Sequence, residues 1–256
     1  MLLAVDVGNT HITLGIYKGK DQICHWRIST NRKKTADEYG ILLRQLFAIE
    51  NHSLDAINAV ALSSVVPPLT ASMVKMSLDC FGTKPLVIGP GVKTGMPIRF
   101  DNPKEVGADR IVNGVAAFHK YGGPVIVVDL GTATTFDVIS AKGEYLGGAI
   151  APGVGISTDA LFSYAAKLPR VELVKPPHVI GKTTVACMQS GIMYGLLGQV
   201  EGIVARMKKE LQSQVTVVAT GGFAFLFEGE QGVVDHVDPF LTLEGLRLIH
   251  EMNKEL

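Results

Sequence analysis

Two short turns in the sequence combine an aspartate with a glycine and with hydroxyl or amide side chains. The first reads Asp6-Val7-Gly8-Asn9, and the second reads Asp129-Leu130-Gly131-Thr132. Glycine permits a tight backbone whose amide groups can face an anion, and a carboxylate can hold a hydrated cation that screens phosphate charge. A single turn of this kind is also typical of an ordinary hairpin. Because each copy follows a matched apolar run, the pair favours two phosphate-binding turns.

Two further segments carry side chains that could bind a ligand. Gly107-Ala108-Asp109-Arg110 lies where a loop is predicted to enter a helix, a position at which aspartate usually serves as a cap. The same carboxylate could instead act as a general base in phosphoryl transfer, with Arg110 pairing with a carboxylate or phosphate. Thr220-Gly221-Gly222 follows an apolar run. It is consistent with a platform for adenine or ribose, and equally with a plain strand-to-helix turn.

The strands that must position the two turns follow one pattern in both halves of the chain. Buried strands are predicted at 2–5 and 125–128, each ending in an acidic-glycine turn. Each turn leads into two further strands, which are predicted at 12–17 and 23–28, and at 134–139 and 145–150. We interpret this order as an imperfect duplication of one supersecondary unit.

Helices and the remaining strands complete an α/β pattern. A capping box at Thr35 and Glu38 opens the first helix, and Pro67 opens the second. Further helices are predicted at 106–121, after Pro152, at 183–211 and at 241–252, and strands are predicted at 59–62, 86–88 and 215–219. We expect a first lobe at 1–120 and a second at 121–256, with the last helix as a candidate to return to the first lobe.

Composition limits the classes of partner. The chain has 256 residues, of which 47% are hydrophobic and 19% charged, so a full core can be buried. Lys and Arg total 24, as do Asp and Glu, which gives no basic footprint for a nucleic acid. The N-terminal apolar run stops at Asp6, and no run has the length of a membrane span. We therefore expect a cytoplasmic protein without nucleic acid or membrane partners.

Taken in order along the chain, the motifs resemble those of the type III pantothenate kinases of bacteria. Each motif alone is short, but the ordered set spans nearly the whole chain and is specific. The segments that carry the resemblance are Asp6-Val7-Gly8-Asn9-Thr10, Gly107-Ala108-Asp109-Arg110, Asp129-Leu130-Gly131-Thr132-Ala133-Thr134-Thr135, Gly147-Gly148-Ala149-Ile150-Ala151-Pro152-Gly153 and Thr220-Gly221-Gly222.

The resemblance implies a duplicated ribonuclease H-like α/β fold of the actin-like ATPase type, with two lobes whose mixed sheets flank a nucleotide cleft. It implies phosphorylation of pantothenate by ATP to 4′-phosphopantothenate, the first step of coenzyme A biosynthesis. It also implies magnesium with ATP, a monovalent cation that is potassium or ammonium, and a homodimer with the substrate site at the subunit interface.

The resemblance further assigns roles to individual residues. Asp109 would be the general base, and Asp129 would hold the monovalent cation. The implied substrate contacts are Phe100, Gly107, Ala108, Asp109, Arg110 and Thr184. The implied ATP contacts are Asp6, Val7, Gly8, Asn9, Thr10, His11, Ile12, Thr13 and Thr132. Family members often carry Tyr at the position of Phe100, so the loss of that hydroxyl leaves the role of Phe100 open.

Two other functions are compatible with the same scaffold. Relatives of this family have been described as accessory factors for gene expression, and such a factor has no chemical need for intact Asp6, Asp109 and Asp129. Another small-molecule kinase or phosphatase of the same superfamily is the second alternative, and a panel of hydroxylated substrates would separate it.

Overall fold

The computed structural model describes residues 1–165, 167–229 and 232–254. The chain divides into two compact units, one formed by Met1–Lys120 with Phe240–Leu256 and the other by Tyr121–Pro239. Each unit contains one five-stranded mixed sheet with helices packed against it.

The strands and helices follow the order expected from the sequence, except that one further short strand, the tenth, was not predicted. The strands are β1 (Leu2–Val7), β2 (His11–Lys18), β3 (Asp21–Ser29), β4 (Ala59–Ser64), β5 (Leu86–Val87), β6 (Val125–Leu130), β7 (Ala133–Ile139), β8 (Tyr145–Pro152), β9 (Thr216–Thr220) and β10 (His236–Val237). The helices are α1 (Ala36–Ile49), α2 (Pro67–Phe81), α3 (Ala108–Tyr121), α4 (Val154–Tyr164), α5 (Thr184–Leu211) and α6 (Leu241–Asn253).

The two sheets have the same topology. The first has the order β3-β2-β1-β4-β5, and the second, written from the corresponding edge, has the order β8-β7-β6-β9-β10. In each, the central strand is antiparallel to the next strand along the chain and parallel to the strand on its other side. The strands β1 and β6 also share one burial pattern, in which only the aspartate is not fully buried. The duplication inferred from the sequence is therefore present in the sheets.

Local signals fix the ends of several helices. The Thr35 hydroxyl accepts a hydrogen bond from the Glu38 N–H while the Glu38 carboxylate accepts one from the Thr35 N–H, which confirms the predicted capping box. Pro67 lies in the first turn of α2, where its missing N–H costs nothing, and α2 ends at Gly82 in the left-handed conformation.

The third helix begins later than the sequence indicated. A short 3₁₀ helix, Pro103–Glu105, precedes it, and Val106 has an extended backbone. The helix therefore starts at Ala108 instead of residue 106. This difference places Asp109 in the first turn of α3, where four backbone N–H groups lack partners within the helix.

The last helix belongs to the first unit. It packs against β1, β2 and β4, and its fully buried face includes Leu241, Leu246 and Ile249. Gly245 lies so close to the backbone of Val112 in α3 that a side chain there would collide with the Val112 carbonyl oxygen. None of the helices in the described ranges has the length and apolar character required to cross a membrane.

Candidate active site

The first aspartate-glycine turn joins β1 to β2. The Gly8 N–H donates to the carbonyl oxygen of His11 at 3.0 Å and closes the turn. Asn9 and Thr10 lie at its exposed tip, while Val7 and Ile12 anchor its two ends in the core. A Cβ atom at Gly8 would lie 3.0 Å from that same carbonyl oxygen, which is a tight approach for a side chain.

Asp6 has a hydroxyl residue beside it on both neighbouring strands. The register pairs Asp6 with Thr13 on β2 and with Ser63 on β4. Ser63 is fully buried, and its hydroxyl has no hydrogen-bond partner among the described residues. A buried polar group without a partner indicates that a bound ligand, ion or water completes the site. The oxygen atoms around Asp6 therefore fit the hydrated magnesium ion that accompanies ATP.

Basic side chains surround the tip of the first turn. A guanidinium nitrogen of Arg32 donates to the Asn9 side-chain oxygen at 2.8 Å, and one of Arg27 lies 2.8 Å from His11 Nδ1. The Thr30 hydroxyl, just after the end of β3, donates to the Gly8 carbonyl at 2.7 Å and so fixes the turn to that strand. Burial lowers the pKa of His11, and the positive charge of Arg27 lowers it further. Two arginine side chains suited to an anionic ligand therefore contact residues at the tip and at the end of the turn.

The second turn joins β6 to β7 and is one residue shorter. The Gly131 N–H donates to the carbonyl oxygen of Ala133 at 3.0 Å, and Thr132 is exposed at the tip. Asp129 lies beside Thr135 on β7 and Thr220 on β9. In both turns, therefore, the aspartate is paired with a hydroxyl residue on each of the two neighbouring strands. The two sheets have the same strand order and the same pairing at this point.

Two glycines allow the backbone to pack closely against the second turn. A Cβ atom at Gly153 would lie 2.5 Å from the Gly131 carbonyl oxygen and would also collide with the carbonyl of Thr132. Gly221 has a φ of +90°, and a Cβ atom there would collide with the Asp129 carboxylate. Both glycines occur in motifs that the sequence singled out, and the structure gives a steric reason for each.

The surroundings of Asp129 are compatible with a monovalent cation. Such hard cations take oxygen ligands, and the strand register places Thr135 and Thr220 on either side of Asp129, next to a glycine that leaves room for the carboxylate. In the described part of the chain, no three His, Cys, Asp or Glu side chains cluster as a transition-metal site would. The oxygen-bearing residues beside Asp129 therefore fit a hard cation.

Asp109 is only partly exposed in the first turn of α3. Its carboxylate oxygen Oδ1 accepts a hydrogen bond from the Arg110 N–H at 2.8 Å. Burial raises the pKa of Asp109, and this effect exceeds the opposing effects of the Arg110 N–H and the Arg110 charge. A Cβ atom at Gly107 would lie 2.5 Å from Oδ1, so the absence of a side chain there leaves space for the carboxylate.

The remaining predicted substrate residues lie in both units. Ala108 and Arg110 flank Asp109 at the start of α3, and Phe100 lies in the loop before it, partly buried. Thr184 is the first residue of α5 in the second unit and lines a cavity of about 490 Å³. The wall of this cavity is mostly apolar and includes Leu161, Met188, Ile192 and Leu196.

Sequence reasoning missed several residues around the first turn. Ser63 lies at the carboxyl end of β4, a parallel strand beside β1. The carboxyl ends of such strands are a usual place for ligands, so its position after an apolar run was a usable signal. Thr30 and Arg32 had no such signal, because their contacts with Gly8 and Asn9 depend on how the end of β3 is placed.

Comparison with known proteins places the chain in a family. The type III pantothenate kinase family matches residues 2–206. The chain is 65% identical over 253 residues to the type III pantothenate kinase of Moorella thermoacetica, which covers 99% of this chain and 100% of that protein. It is 56% identical over 255 residues to that of Geobacter sulfurreducens, which covers 100% of both chains.

Solved structures that share the fold are more distant in sequence. One, from Campylobacter jejuni, is named as a candidate Baf family transcriptional activator, with a TM-score of 0.62, 18% identity and coverage of 99% of this chain and 100% of that chain. Another is the inorganic polyphosphate/ATP-glucomannokinase of Arthrobacter sp. strain KM, with a TM-score of 0.51, 12% identity and coverage of 98% and 99%.

The distant structures confirm the predicted duplicated α/β fold, and the close relatives confirm the resemblance that the motifs indicated. Because the family match extends over most of the sequence, the chain belongs to the type III pantothenate kinase family.

Proposed function

We propose that this chain transfers the γ-phosphoryl group of ATP to pantothenate and forms 4′-phosphopantothenate, in the first step of coenzyme A biosynthesis. The observation that carries the proposal is the aspartate-glycine turn, built twice on one strand register in a member of the pantothenate kinase family. Phosphoryl transfer depends mainly on positioning and charge stabilisation, and such turns supply both.

The first turn binds ATP phosphates in this proposal. Backbone N–H groups and uncharged side chains around Gly8 face the phosphates, while the Asp6 carboxylate holds water molecules of the magnesium ion. Thr132 supplies a hydroxyl from the second turn. The residues assigned to ATP are Asp6, Val7, Gly8, Asn9, Thr10, His11, Ile12, Thr13 and Thr132.

Asp109 is the proposed general base. Its raised pKa makes the carboxylate a better proton acceptor, and it takes the proton of the pantothenate hydroxyl as that oxygen attacks phosphorus. Arg110 pairs with the pantothenate carboxylate, since a guanidinium binds carboxylates with two parallel hydrogen bonds. Phe100, Gly107, Ala108 and Thr184 complete the proposed substrate contacts.

We assign the monovalent cation, potassium or ammonium, to Asp129. When bound, this cation neutralises part of the phosphate charge that develops during transfer. The assignment is supported by the strand register, which puts Asp129 between Thr135 and Thr220, and by Gly221, which has no side chain to collide with the carboxylate.

A homodimer with the substrate site at its interface, in the cytoplasm, is the proposed working form. Large apolar side chains are exposed in the second unit, on β8, on α4, in the segment that enters α5 and in the first turn of α5. Contiguous exposed apolar side chains mark interaction surfaces, and we propose that these side chains form one such surface. Thr184 lies within this region, which supports a substrate contact near the interface. The exposed side chains are Ile150, Ile156, Leu161, Val179, Ile180 and Val185.

A coupled assay for ADP tests the function directly. ADP release from ATP is expected to require pantothenate, and to be higher in potassium or ammonium than in sodium. Release of ADP that is indifferent to pantothenate, or that occurs only with another hydroxylated substrate, would contradict the proposal.

A further inference from the structure

A buried carboxylate that has no role so far lies on the same sheet face as Asp129. Side chains alternate along a strand, so Thr135 and Asp137 of β7 point to one face, and the register places Thr135 directly beside Asp129. Asp137 is fully buried. Burial of a charged group is costly unless hydrogen bonds compensate for it, so the surroundings of this carboxylate have to be explained.

Each carboxylate oxygen of Asp137 accepts a hydrogen bond from a hydroxyl group. The Thr135 hydroxyl donates to Oδ2 at 3.1 Å, and the Tyr145 hydroxyl, from the neighbouring strand β8, donates to Oδ1 at 2.7 Å. Tyr145 is itself fully buried. A chain of hydrogen bonds therefore runs from the interior of the sheet to the residue beside Asp129.

This series of hydrogen bonds determines which way the Thr135 hydroxyl points. A threonine hydroxyl has one hydrogen and two lone pairs, and Asp137 takes the hydrogen. The lone pairs of the Thr135 oxygen are thereby left to accept on the side away from Asp137. We infer that Asp137 is a positioning residue that holds the Thr135 hydroxyl as an oxygen ligand for the cation at Asp129, an inference that rests on the proposed function.

The other half of the duplication supports this reading. Thr13 lies beside Asp6 as Thr135 lies beside Asp129, so the position that corresponds to Asp137 is Gly15. There the strand is covered by α6, and a Cβ atom at Gly15 would lie 2.8 Å from a methyl group of Leu243. The shared architecture therefore does not require a carboxylate at this position. The carboxylate of Asp137 occurs only in the second unit, to which the monovalent cation is assigned.

Variants of the full-length enzyme separate positioning from simple structural support. Asp137→Asn presents an amide that can donate to Thr135 and reverse the bond, Thr135→Val removes the ligand, and Thr135→Ser retains it. Tyr145→Phe is the matched control, because it removes the other bond to Asp137 without touching Thr135. Two quantities are measured: the potassium concentration for half-maximal turnover, and the rise in melting temperature with potassium chloride against tetramethylammonium chloride, without substrates.

Asp137→Asn and Thr135→Val are expected to raise the half-maximal potassium concentration by about tenfold or more, the usual effect of losing an outer-shell partner or a ligand. Both variants should recover turnover at saturating potassium and should lose the potassium-dependent rise in melting temperature. Thr135→Ser should resemble the wild type. Tyr145→Phe should lower the melting temperature but keep the wild-type potassium response. If Asp137→Asn does not fold, the comparison of Thr135→Val with Thr135→Ser still tests whether Thr135 is a ligand, and equal potassium responses of these two variants would overturn the inference.

Equal potassium responses in the wild type, Asp137→Asn and Thr135→Val would overturn this inference and leave the kinase function intact. A wild type that needs pantothenate but ignores potassium would overturn the inference together with the cation assignment. Absence of pantothenate-dependent turnover would contradict the proposed function alone, since the melting-temperature comparison would still decide whether Asp137 acts on cation binding.

Discussion

At the residue scale, the proposed chemistry depends on a carboxylate whose burial disfavours its ionised form. Burial raises the pKa of Asp109, and the N–H group and charge of Arg110 only partly offset the effect. The folded protein therefore favours the protonated form more than the unfolded chain does. It follows that the ionised carboxylate costs stability at neutral pH, and that this cost disappears below the pKa of the unfolded chain, about 3.9.

Substitution of Asp109 by Asn tests both consequences. Asp109→Asn is expected to lower kcat by about 10²- to 10⁴-fold, because it removes the general base while keeping the side-chain shape. The melting temperature at pH 7 should equal or exceed that of the wild type, and the difference should shrink toward pH 4. Calorimetry and turnover measurements check the two parts, with ATP affinity as the control for an intact fold.

The wild-type pH profile provides a second check on the same residue. Turnover should fall on the acidic side through a pKa above the ordinary aspartate value, because the base must be ionised to act. Substantial turnover by Asp109→Asn, or a melting temperature well below that of the wild type, would contradict the assignment of Asp109.

Gly107 provides a steric test of the same carboxylate. In Gly107→Ala, the added methyl group would lie 2.5 Å from Asp109 Oδ1, so the carboxylate must move while the backbone can stay. We expect kcat to fall by about 10- to 100-fold, as is usual for misplaced catalytic groups, with little change in melting temperature. Gly89→Ala is the matched control, since a Cβ atom there meets nothing within 4 Å. Equal turnover of the two variants would argue against a role for the Asp109 position.

At the element scale, the second phosphate-binding turn depends on the junction between β8 and α4. Gly153 lies at that junction, and its backbone contacts the carbonyl groups of the turn. Because these contacts join backbone to backbone, no flexible side chain can move aside to accept a methyl group. The geometry of the turn is thus determined by an element that follows it in the chain.

Gly153→Ala is therefore expected to disturb nucleotide binding and stability together. Overpacking of this kind typically costs about 1–3 kcal/mol in the free energy of unfolding. We also expect KM for ATP to rise, because Thr132 would move with the turn. Gly155→Ala, two residues along, is the control, since its nearest contact would be a ring carbon of Phe223 at 3.9 Å. Denaturant unfolding and KM for ATP should separate the two variants, and identical values would show that the close approach at Gly153 is unimportant.

Elements with strong local signals could be predicted from the sequence, and those defined by distant partners could not. The apolar run before Asp6 and the capping box at Thr35 act over a few residues, so strand and helix followed from them. The strand β10 has only two residues and exists through its pairing with β9. The bond from Thr135 to Asp137 was equally hidden, because a polar residue in a strand pattern does not reveal which face is buried.

At the scale of the whole molecule, the chain leaves the first unit after Lys120 and returns to it at Phe240. The return buries α6 beside β1 and β4 and supports α3, the helix that carries Asp109. An apolar helix face does not specify the sheet on which it packs, so sequence alone left this connection open. The Thr242 hydroxyl, which donates to the Asn113 side-chain oxygen at 2.7 Å, adds a specific polar contact between α6 and α3.

The proposed homodimer gives the last prediction. Ile180 is 82% exposed in the segment that enters α5, and Thr184 follows four residues later as the first residue of that helix. Burying the Ile180 side chain at an interface would stabilise association, whereas a charge at the same position would be left without a partner. Ile180→Glu is therefore expected to shift the enzyme from dimer to monomer in light scattering, with a raised KM for pantothenate.

Ile49→Glu supplies the matched control for the dimer. Ile49 is 72% exposed in the first unit, at the end of α1. The same change there should leave both the mass of the dimer in light scattering and the KM for pantothenate unaltered. Loss of the dimer with unchanged KM would separate assembly from substrate binding, and would confine the substrate contacts to a single chain. A wild type that is monomeric and fully active would contradict the interface altogether, and the exposed apolar side chains of β8 and α4 would then need another partner.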